Sequence, residues 1–442
     1  MEPIAVEQKP NIDFAFHYEQ IGSEMWAVFG SGERVRVDRR RVRVYPGLPS
    51  AAPPTQTVYE ALMGSIDASS AEVLDVGCGS GVGTRTLTAR FASVTGIDSD
   101  AQAIDFARAM CGSRCGVALA DLQTFDLDQP VDAAFVVDVL GHLPAPLTAL
   151  MHLRAKMKQT GRIAVGEPTA YPAQHLRAPA RRAFSPRSLM QLLYAAGFTD
   201  IEWVDGGGSF LMCTASAAQE PAWSRLMEGA LATDENLDRA EAAYREVAET
   251  ASLPLRIEAL LCLGEIGLAR GDANVACEAY LKARELDDAD ARPVQGLVRI
   301  LLKTGEIEDA FLLARHAVEL DPTDSTVVVA HAMAADAMTG LRADIWKTAN
   351  ELAPDDFGTA AQFARAACGD REFDQALFAL ERLRDYGING SHLQIAIAEV
   401  LRDAGRIADA RLEARLALIE SPDDPNVQRL WQELAQSTPA PP

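Results

Sequence analysis

An α/β domain followed by an all-helical repeat array is the fold class this sequence predicts, and three observations predict it. Between residues 55 and 217, short apolar segments ending in an acid alternate with stretches of helical pattern. The first of these segments runs into Gly77, Gly79, Gly81 and Gly83, one glycine at every second position. From residue 221 onward, small residues return at a spacing of 34, with a glycine inside each copy and an acidic or proline-containing loop after it. Alternating short buried strands and helices indicate a mainly parallel sheet. Regular recurrence over 20–50 residues indicates stacked helical units.

Taken in order, Val73-Leu74-Asp75-Val76 reads as the first strand of the sheet, followed directly by the glycine loop. Glycines there permit positive φ and let backbone N–H groups approach a ligand closely. Val94-Thr95-Gly96-Ile97-Asp98 is a second strand, ending in an acid that can accept hydrogen bonds from a ribose diol, with Ser99 next to it. Val117–Asp121 reads as a third strand and Val131–Asp138 as a fourth. Leu150–Lys158 is expected to be a helix stopped by Thr160-Gly161, and Arg162–Pro168 a fifth strand. Ser185 and Pro186 fit the N-cap and first position of a helix that runs through Leu193 and ends at Gly197-Phe198. Segments 200–204 and 209–214 complete seven strands. These features describe a nucleoside-cofactor site at the carboxyl ends of the strands.

A dinucleotide fingerprint reads G-x-G-x-x-G, which is not the spacing here. An acid at the strand end would also repel a pyrophosphate and suit a cationic ligand. The run Asp75-x-Gly77-x-Gly79-x-Gly81 closely resembles the first motif of the class I S-adenosylmethionine-dependent methyltransferases, and the resemblance covers residues 55–217. It implies a Rossmann-like seven-stranded domain in which the last two strands form an antiparallel edge. It implies that S-adenosyl-L-methionine is the cofactor, with Gly77, Cys78, Gly79 and Gly81 beneath its methionine part. Asp98 would hold the ribose hydroxyls, Asp121 the adenine amino group, and Leu122 would lie beside the ring. Asp138 would support the methionine amino group or its loop. Gly141-His142-Leu143-Pro144 resembles the segment that closes the pocket in the small-molecule branch of that family. Cys78 also reads as a small space-filling residue.

In the second half, Ala276, Tyr280 and Ala283 are followed 34 residues later by Ala310, Ala314 and Ala317. Ala376, Leu380 and Leu383 are followed at the same interval by Ala410, Ala414 and Ala417. Looser copies carry Ala240, Tyr244 and Val247, and Trp346, Ala349 and Ala353. Gly271, Gly305, Gly340, Gly369 and Gly405 fall near the turns between paired helices. The pattern closely resembles tetratricopeptide repeats. It implies about six copies over 221–424 and a capping helix at 425–436, within a domain spanning 221–437. Arg342 stands where the family has a small residue. Such arrays most often bind proteins in a concave groove.

Residues 1–54 form a separate N-terminal unit. Phe14–Tyr18 suggests an apolar helix or lid, and Met25–Phe29 with Arg34–Asp38 suggests a hairpin around Gly30-Ser31-Gly32. Arg39 to Val44 should continue the hairpin until Pro46-Gly47-Leu48-Pro49. Six arginines between 34 and 43 invite a nucleic-acid reading, but no aromatic interleaves them. The net charge is −22, and residues 218–442 account for −18 of it. Acidity of that size disfavours phosphate-backbone binding there and suits a basic protein partner or simple solubility. No run of eighteen apolar residues exists, so no membrane partner is expected. The first thirteen residues lack the apolar core of a secretory signal, which makes the cytoplasm the expected location. Seven scattered cysteines, with Cys111 and Cys115 the only close pair, read as reduced thiols and not as a zinc site.

Methyl transfer needs positioning and exclusion of water more than acid–base help. Where the acceptor carries a proton, His142 is the candidate base, with Tyr171 and His175 as alternatives. The segment Asp138-Val139-Leu140-Gly141 is not the Asn/Asp-Pro-Pro-Tyr of enzymes that methylate planar amides or adenine amino groups. The acceptor itself stays open. The competing reading is a catalytically inactive methyltransferase-like scaffold that works through protein binding by its repeats.

Overall fold

The computed structural model describes residues 16–21, 24–29, 34–37, 54–66, 72–168, 181–182, 184–205, 210–218, 221–233 and 236–436. The chain divides into two compact units, residues 1–169 with 186–220, and residues 170–185 with 221–442.

The first unit holds two sheets. Strands β1 (Phe16–Ile21), β2 (Glu24–Phe29) and β3 (Arg34–Val37) form a three-stranded antiparallel sheet. The expected hairpin is therefore present, but Phe16-His17-Tyr18 belongs to a strand and not to a helix or lid. Six residues of β1 pair with all six of β2, which uses their backbone groups in a ladder. The arginine-rich continuation at 39–44 lies outside the described residues.

The main sheet has seven strands in the order β6-β5-β4-β7-β8-β10-β9. They are β4 (Glu72–Val76), β5 (Ser93–Asp98), β6 (Gly116–Leu119), β7 (Val131–Val137), β8 (Met157–Pro168), β9 (Thr199–Trp203) and β10 (Phe210–Ser216). Strands β6, β5, β4, β7 and β8 are mutually parallel. β10 runs antiparallel to both β8 and β9, so it alone is reversed and β9 forms the outer edge. Helices α1 (Pro54–Gly64), α2 (Val82–Leu87), α3 (Ala101–Cys111), α4 (Pro146–Ala155) and α5 (Pro186–Ala195) belong to this domain. One expectation shifts: Met157 and Lys158 already belong to β8, because the helix ends at Ala155 and Val131 donates its N–H to the Lys156 carbonyl. Val58, Leu62, Phe135, Val137 and Ala164 form the core between α1 and the central strands. Cys111 and Cys115, expected as separate thiols, are joined as a disulfide across the turn at Gly112.

The second unit is all-helical. Its described helices are α6 (Pro221–Ala232), α7 (Leu237–Thr250), α8 (Leu253–Arg270), α9 (Ala273–Leu286), α10 (Arg292–Thr304), α11 (Ile307–Leu320), α12 (Ser325–Thr339), α13 (Ala343–Leu352), α14 (Phe357–Gly369), α15 (Phe373–Arg382), α16 (Ser391–Asp403), α17 (Ile407–Glu420) and α18 (Pro425–Gln436). Ala240, Ala276, Ala310, Ala349, Ala376 and Ala410 are all fully buried at helix contacts, as close approach of paired helices requires. In two ion pairs the partners stand 34 residues apart in the chain, Arg292–Glu258 at 2.6 Å and Arg299–Glu265 at 2.9 Å. Arg181 and Ser185, which pack with this unit, donate to Asp355 Oδ2 (3.2 Å) and Asp321 Oδ2 (2.6 Å). Among the described residues, no helix is long and apolar enough to cross a membrane.

Candidate functional site

Five adjacent parallel strands end on the same edge of the main sheet, and each end carries an acid or a glycine turn. The loop after β4 is built by backbone angles that only glycine adopts readily, φ being 67° at Gly77, 52° at Gly79 and 85° at Gly81. At Gly81 an added Cβ would lie 2.8 Å from the Ala107 Cα, so a side chain there would meet backbone. At Gly79 it would meet nothing within 4 Å. The loop is thus tightly packed on one side and open at its middle glycine. Gly83 sits in α2 against the Tyr59 ring.

Two bonds fasten this loop to β5. Cys78 donates its N–H to the Ile97 carbonyl (2.9 Å), and Gly79 donates to Asp98 Oδ2 (2.9 Å). Asp98 also accepts from the Asp100 N–H through Oδ1 (2.9 Å) and remains partly exposed, with Ser99 exposed beside it. The Cys78 side chain is buried with Ile104 and Ala107, and burial pushes its thiol well above the ordinary range. That environment fits the space-filling reading and an inert thiol.

Asp75 has a different place from the one its charge suggests. It is fully buried, Tyr59 donates its hydroxyl to Oδ1 (2.6 Å), and Thr84 donates to Oδ2 (2.6 Å). It supports the loop from below instead of presenting a carboxylate to a cationic ligand. Burial, offset in part by the two hydroxyls, pushes Asp75 up to about 6, and the Tyr59 phenol is raised by burial and by Asp75.

Beyond β6, Asp121 is exposed and accepts from the Gln123 N–H (2.8 Å), and Leu122 is buried. Beyond β7, Asp138 has a φ of 57°, unusual for a residue with a Cβ. A 3₁₀ turn at Leu140–His142 follows, and His142 Nε2 lies 3.3 Å from Asp138 Oδ1. Both side chains are about one-fifth exposed, at 23% and 20%. The structure therefore brings Asp98, Asp121, Asp138 and His142 to one edge with the glycine loop. Tyr171 and His175 lie outside the described residues.

Sequence reasoning missed three contributors. Tyr59 and Thr84 come from helices whose pattern signals only packing. Glu167, at the end of β8, is 1% exposed and accepts from the N–H groups of Val139 (2.9 Å), Leu140 (2.8 Å) and Gly141 (3.2 Å). An acid inside an apolar strand was its only signal. Burial raises Glu167 to about 7; the three N–H groups oppose the rise and Asp138 adds to it. Among the described residues, no group of three or more His, Cys, Asp or Glu is placed to hold a metal ion.

Residues 56–202, most of them in the first unit, match the family model of a methyltransferase domain. A ribosomal protein L11 methyltransferase of a Shewanella species is 36% identical over 154 residues, covering 34% of this chain and 52% of its own length. The same enzyme of Shewanella baltica is 36% identical over 149 residues, covering 33% of this chain and 50% of its own. The chain thus spans about half the length of the curated relatives it matches. Among solved structures, the N-methyltransferase NodS from Bradyrhizobium japonicum, in complex with S-adenosyl-L-homocysteine, aligns with a TM-score of 0.32 at 19% identity. That alignment covers 38% of this chain and 89% of NodS.

Proposed function

We propose that the first unit binds S-adenosyl-L-methionine and directs its methyl group to an acceptor, while the helical unit recruits a protein partner or substrate. The observation that carries the reading is the glycine loop, closed by packing at Gly81 and open at Gly79, at the carboxyl edge of a parallel sheet. The site suits a cofactor because at Gly79 the backbone meets open space beside the partly exposed Asp98, with Asp121 and Asp138 on the neighbouring strand ends. Gly77, Cys78, Gly79 and Gly81 would pass beneath the methionine part, with Asp75 fastening the loop from below. Asp98 and Ser99 would take the ribose, Asp121 and Leu122 the adenine, and Asp138 the methionine amino group.

The bound sulfonium supplies an electrophilic methyl group that is displaced in line. The chain's own work is to align the acceptor and exclude water. His142, oriented by Asp138, is the group we assign to take a proton from an acceptor that carries one. Ribosomal protein L11, the acceptor named for the curated relatives, is the first protein to assay.

The helical unit we assign to the tetratricopeptide class. The two ion pairs that join residues 34 apart and the buried alanines support that reading, and an acidic surface suits a basic partner. Calorimetric titration of the full chain with S-adenosyl-L-homocysteine tests the cofactor assignment. Binding that disappears in Gly79→Arg supports it, and no binding by the natural sequence favours the inactive-scaffold reading. A chain ending after residue 217 that keeps full turnover would show that the helical unit is not the substrate-binding element.

A further inference from the structure

The loop after β7 is held in an unusual way. Asp138 adopts a left-handed backbone, and the next three N–H groups after it, those of Val139, Leu140 and Gly141, converge on one carboxylate. Convergent N–H groups of this kind form an anion-binding nest. Here the anion is the chain's own Glu167. The fourth N–H, from Asp138, goes to the Gly166 carbonyl at 2.8 Å, so the end of β8 satisfies the whole turn. A non-glycine residue at positive φ is costly and persists only where its surroundings over-determine it. The Glu167 carboxylate is the group that does so.

We propose that Glu167 is the positioning residue of this site: its ionised carboxylate fixes the segment 138–142 and thereby aims Asp138 and His142. This rests on the cofactor reading above, because it concerns the same edge of the sheet. The chemistry is specific to the anion. Oε1 accepts two N–H groups and Oε2 accepts the third, so every bond requires an acceptor. A protonated acid would turn a hydroxyl toward an N–H, and a glutamine would turn an amide N–H₂ toward one. The glutamine replaces one acceptor with a donor, and the protonated acid turns one strong anionic acceptor into a weaker one that also donates, so either loosens the turn. The titratable groups around the carboxylate are Asp138 on the turn and the Cys213 thiol from β10, with His142 reached through Asp138. The Cys213 thiol, raised to about 12 by burial and by Glu167, stays neutral throughout the neutral range. Burial, with a smaller contribution from Asp138, opposes ionisation of Glu167 and places loss of the proton near neutral pH.

Hydrogen exchange on the full chain without ligand tests this directly. Protection of the 139–141 amides, corrected for intrinsic exchange, should rise by roughly tenfold or more as pH increases through about 7 in the natural sequence. In Glu167→Gln the protection should be low and flat with pH, while the amides of Val131–Val137 in β7 keep theirs. Titration with S-adenosyl-L-homocysteine at pH 8 should then show affinity lowered by roughly tenfold in Glu167→Gln. Three results would overturn the proposal: protection of the 139–141 amides that is low at every pH in the natural sequence, unchanged protection in the variant, or loss that spreads through β7. If the natural sequence takes up no S-adenosyl-L-homocysteine, the cofactor reading fails and the exchange profile alone decides the role of Glu167.

Discussion

Glycines with positive φ serve both units, and the two sets do different work. Gly79 in the first unit and Gly271, Gly305 and Gly405 in the second share left-handed backbones, and an added Cβ at any of them meets nothing within 4 Å. In the helical unit the reason is local. The residue after each glycine donates back to a carbonyl five residues earlier, as Asp272 does to Gly267 (2.8 Å), Glu306 to Leu301 (2.9 Å) and Arg406 to Leu401 (2.8 Å). These are helix stops that satisfy orphan carbonyls. In the sheet unit the loop is pinned at its flanks to β5 and α3, and Asp98 at the end of the neighbouring strand accepts the N–H of the open glycine. Backbone angle alone does not separate a helix stop from the proposed ligand cradle; the partners do.

The largest effect that would sharpen this comparison is a pair of arginine substitutions. Gly79→Arg should lower affinity for S-adenosyl-L-homocysteine by about a hundredfold or more, because the side chain fills the cradle. Gly305→Arg should leave that affinity unchanged while costing about 1 kcal/mol of stability in chemical denaturation. Equal losses of binding in both variants would break the distinction.

Next in size is the pH response of Asp75. Its folded pKa of about 6 lies above the ordinary 3.8, so the folded state holds the proton more tightly than the unfolded chain. Stability from this group is therefore fullest below about pH 3.8 and is lost as pH rises through about 6, by roughly 3 kcal/mol in all. Denaturation of Asp75→Asn between pH 4 and 7 should show a correspondingly flatter slope in the transition of the first unit. A smaller loss, about 1–2 kcal/mol at pH 7, is expected for Tyr59→Phe, which leaves one buried oxygen of Asp75 without its donor.

The smallest effect is a gain. Gly369 was the glycine expected at the turn between α14 and α15, yet it is the last residue of α14. The left-handed position is Arg371 (φ 63°), 34 residues before Gly405. The stop is otherwise the same, with Glu372 donating to the Ala367 carbonyl at 2.7 Å. Arg371→Gly should stabilise the helical unit by about 1 kcal/mol in denaturant melts. Destabilisation would mean that the arginine side chain outweighs its backbone strain.

Much of the first unit was legible because parallel strands announce themselves as short apolar runs, and their acids and glycines fall at the ends. Val94–Asp98 and Val131–Asp138 were read within a residue or two of β5 and β7. The errors arose where local pattern and tertiary pairing disagree. Met157-Lys158 continues a helical pattern, but pairing of Met157 with Val131 of β7 claims the segment for β8. Phe16–Tyr18 is apolar enough for a helix, and only its partner β2 makes it a strand.

The sequence by itself determined the class of sheet, the position of the glycine loop and the helical period of 34, because each depends on local conformational freedom or on spacing along the chain. Tertiary structure alone decided that Asp75 lies beneath the loop with Tyr59 and Thr84. It also decided that β10 inserts between β8 and β9, and that Glu167 captures the turn carrying Asp138 and His142. Those outcomes depend on which strand ends become neighbours. A buried carboxylate takes its role from the donors that surround it, and those donors are distant in the chain.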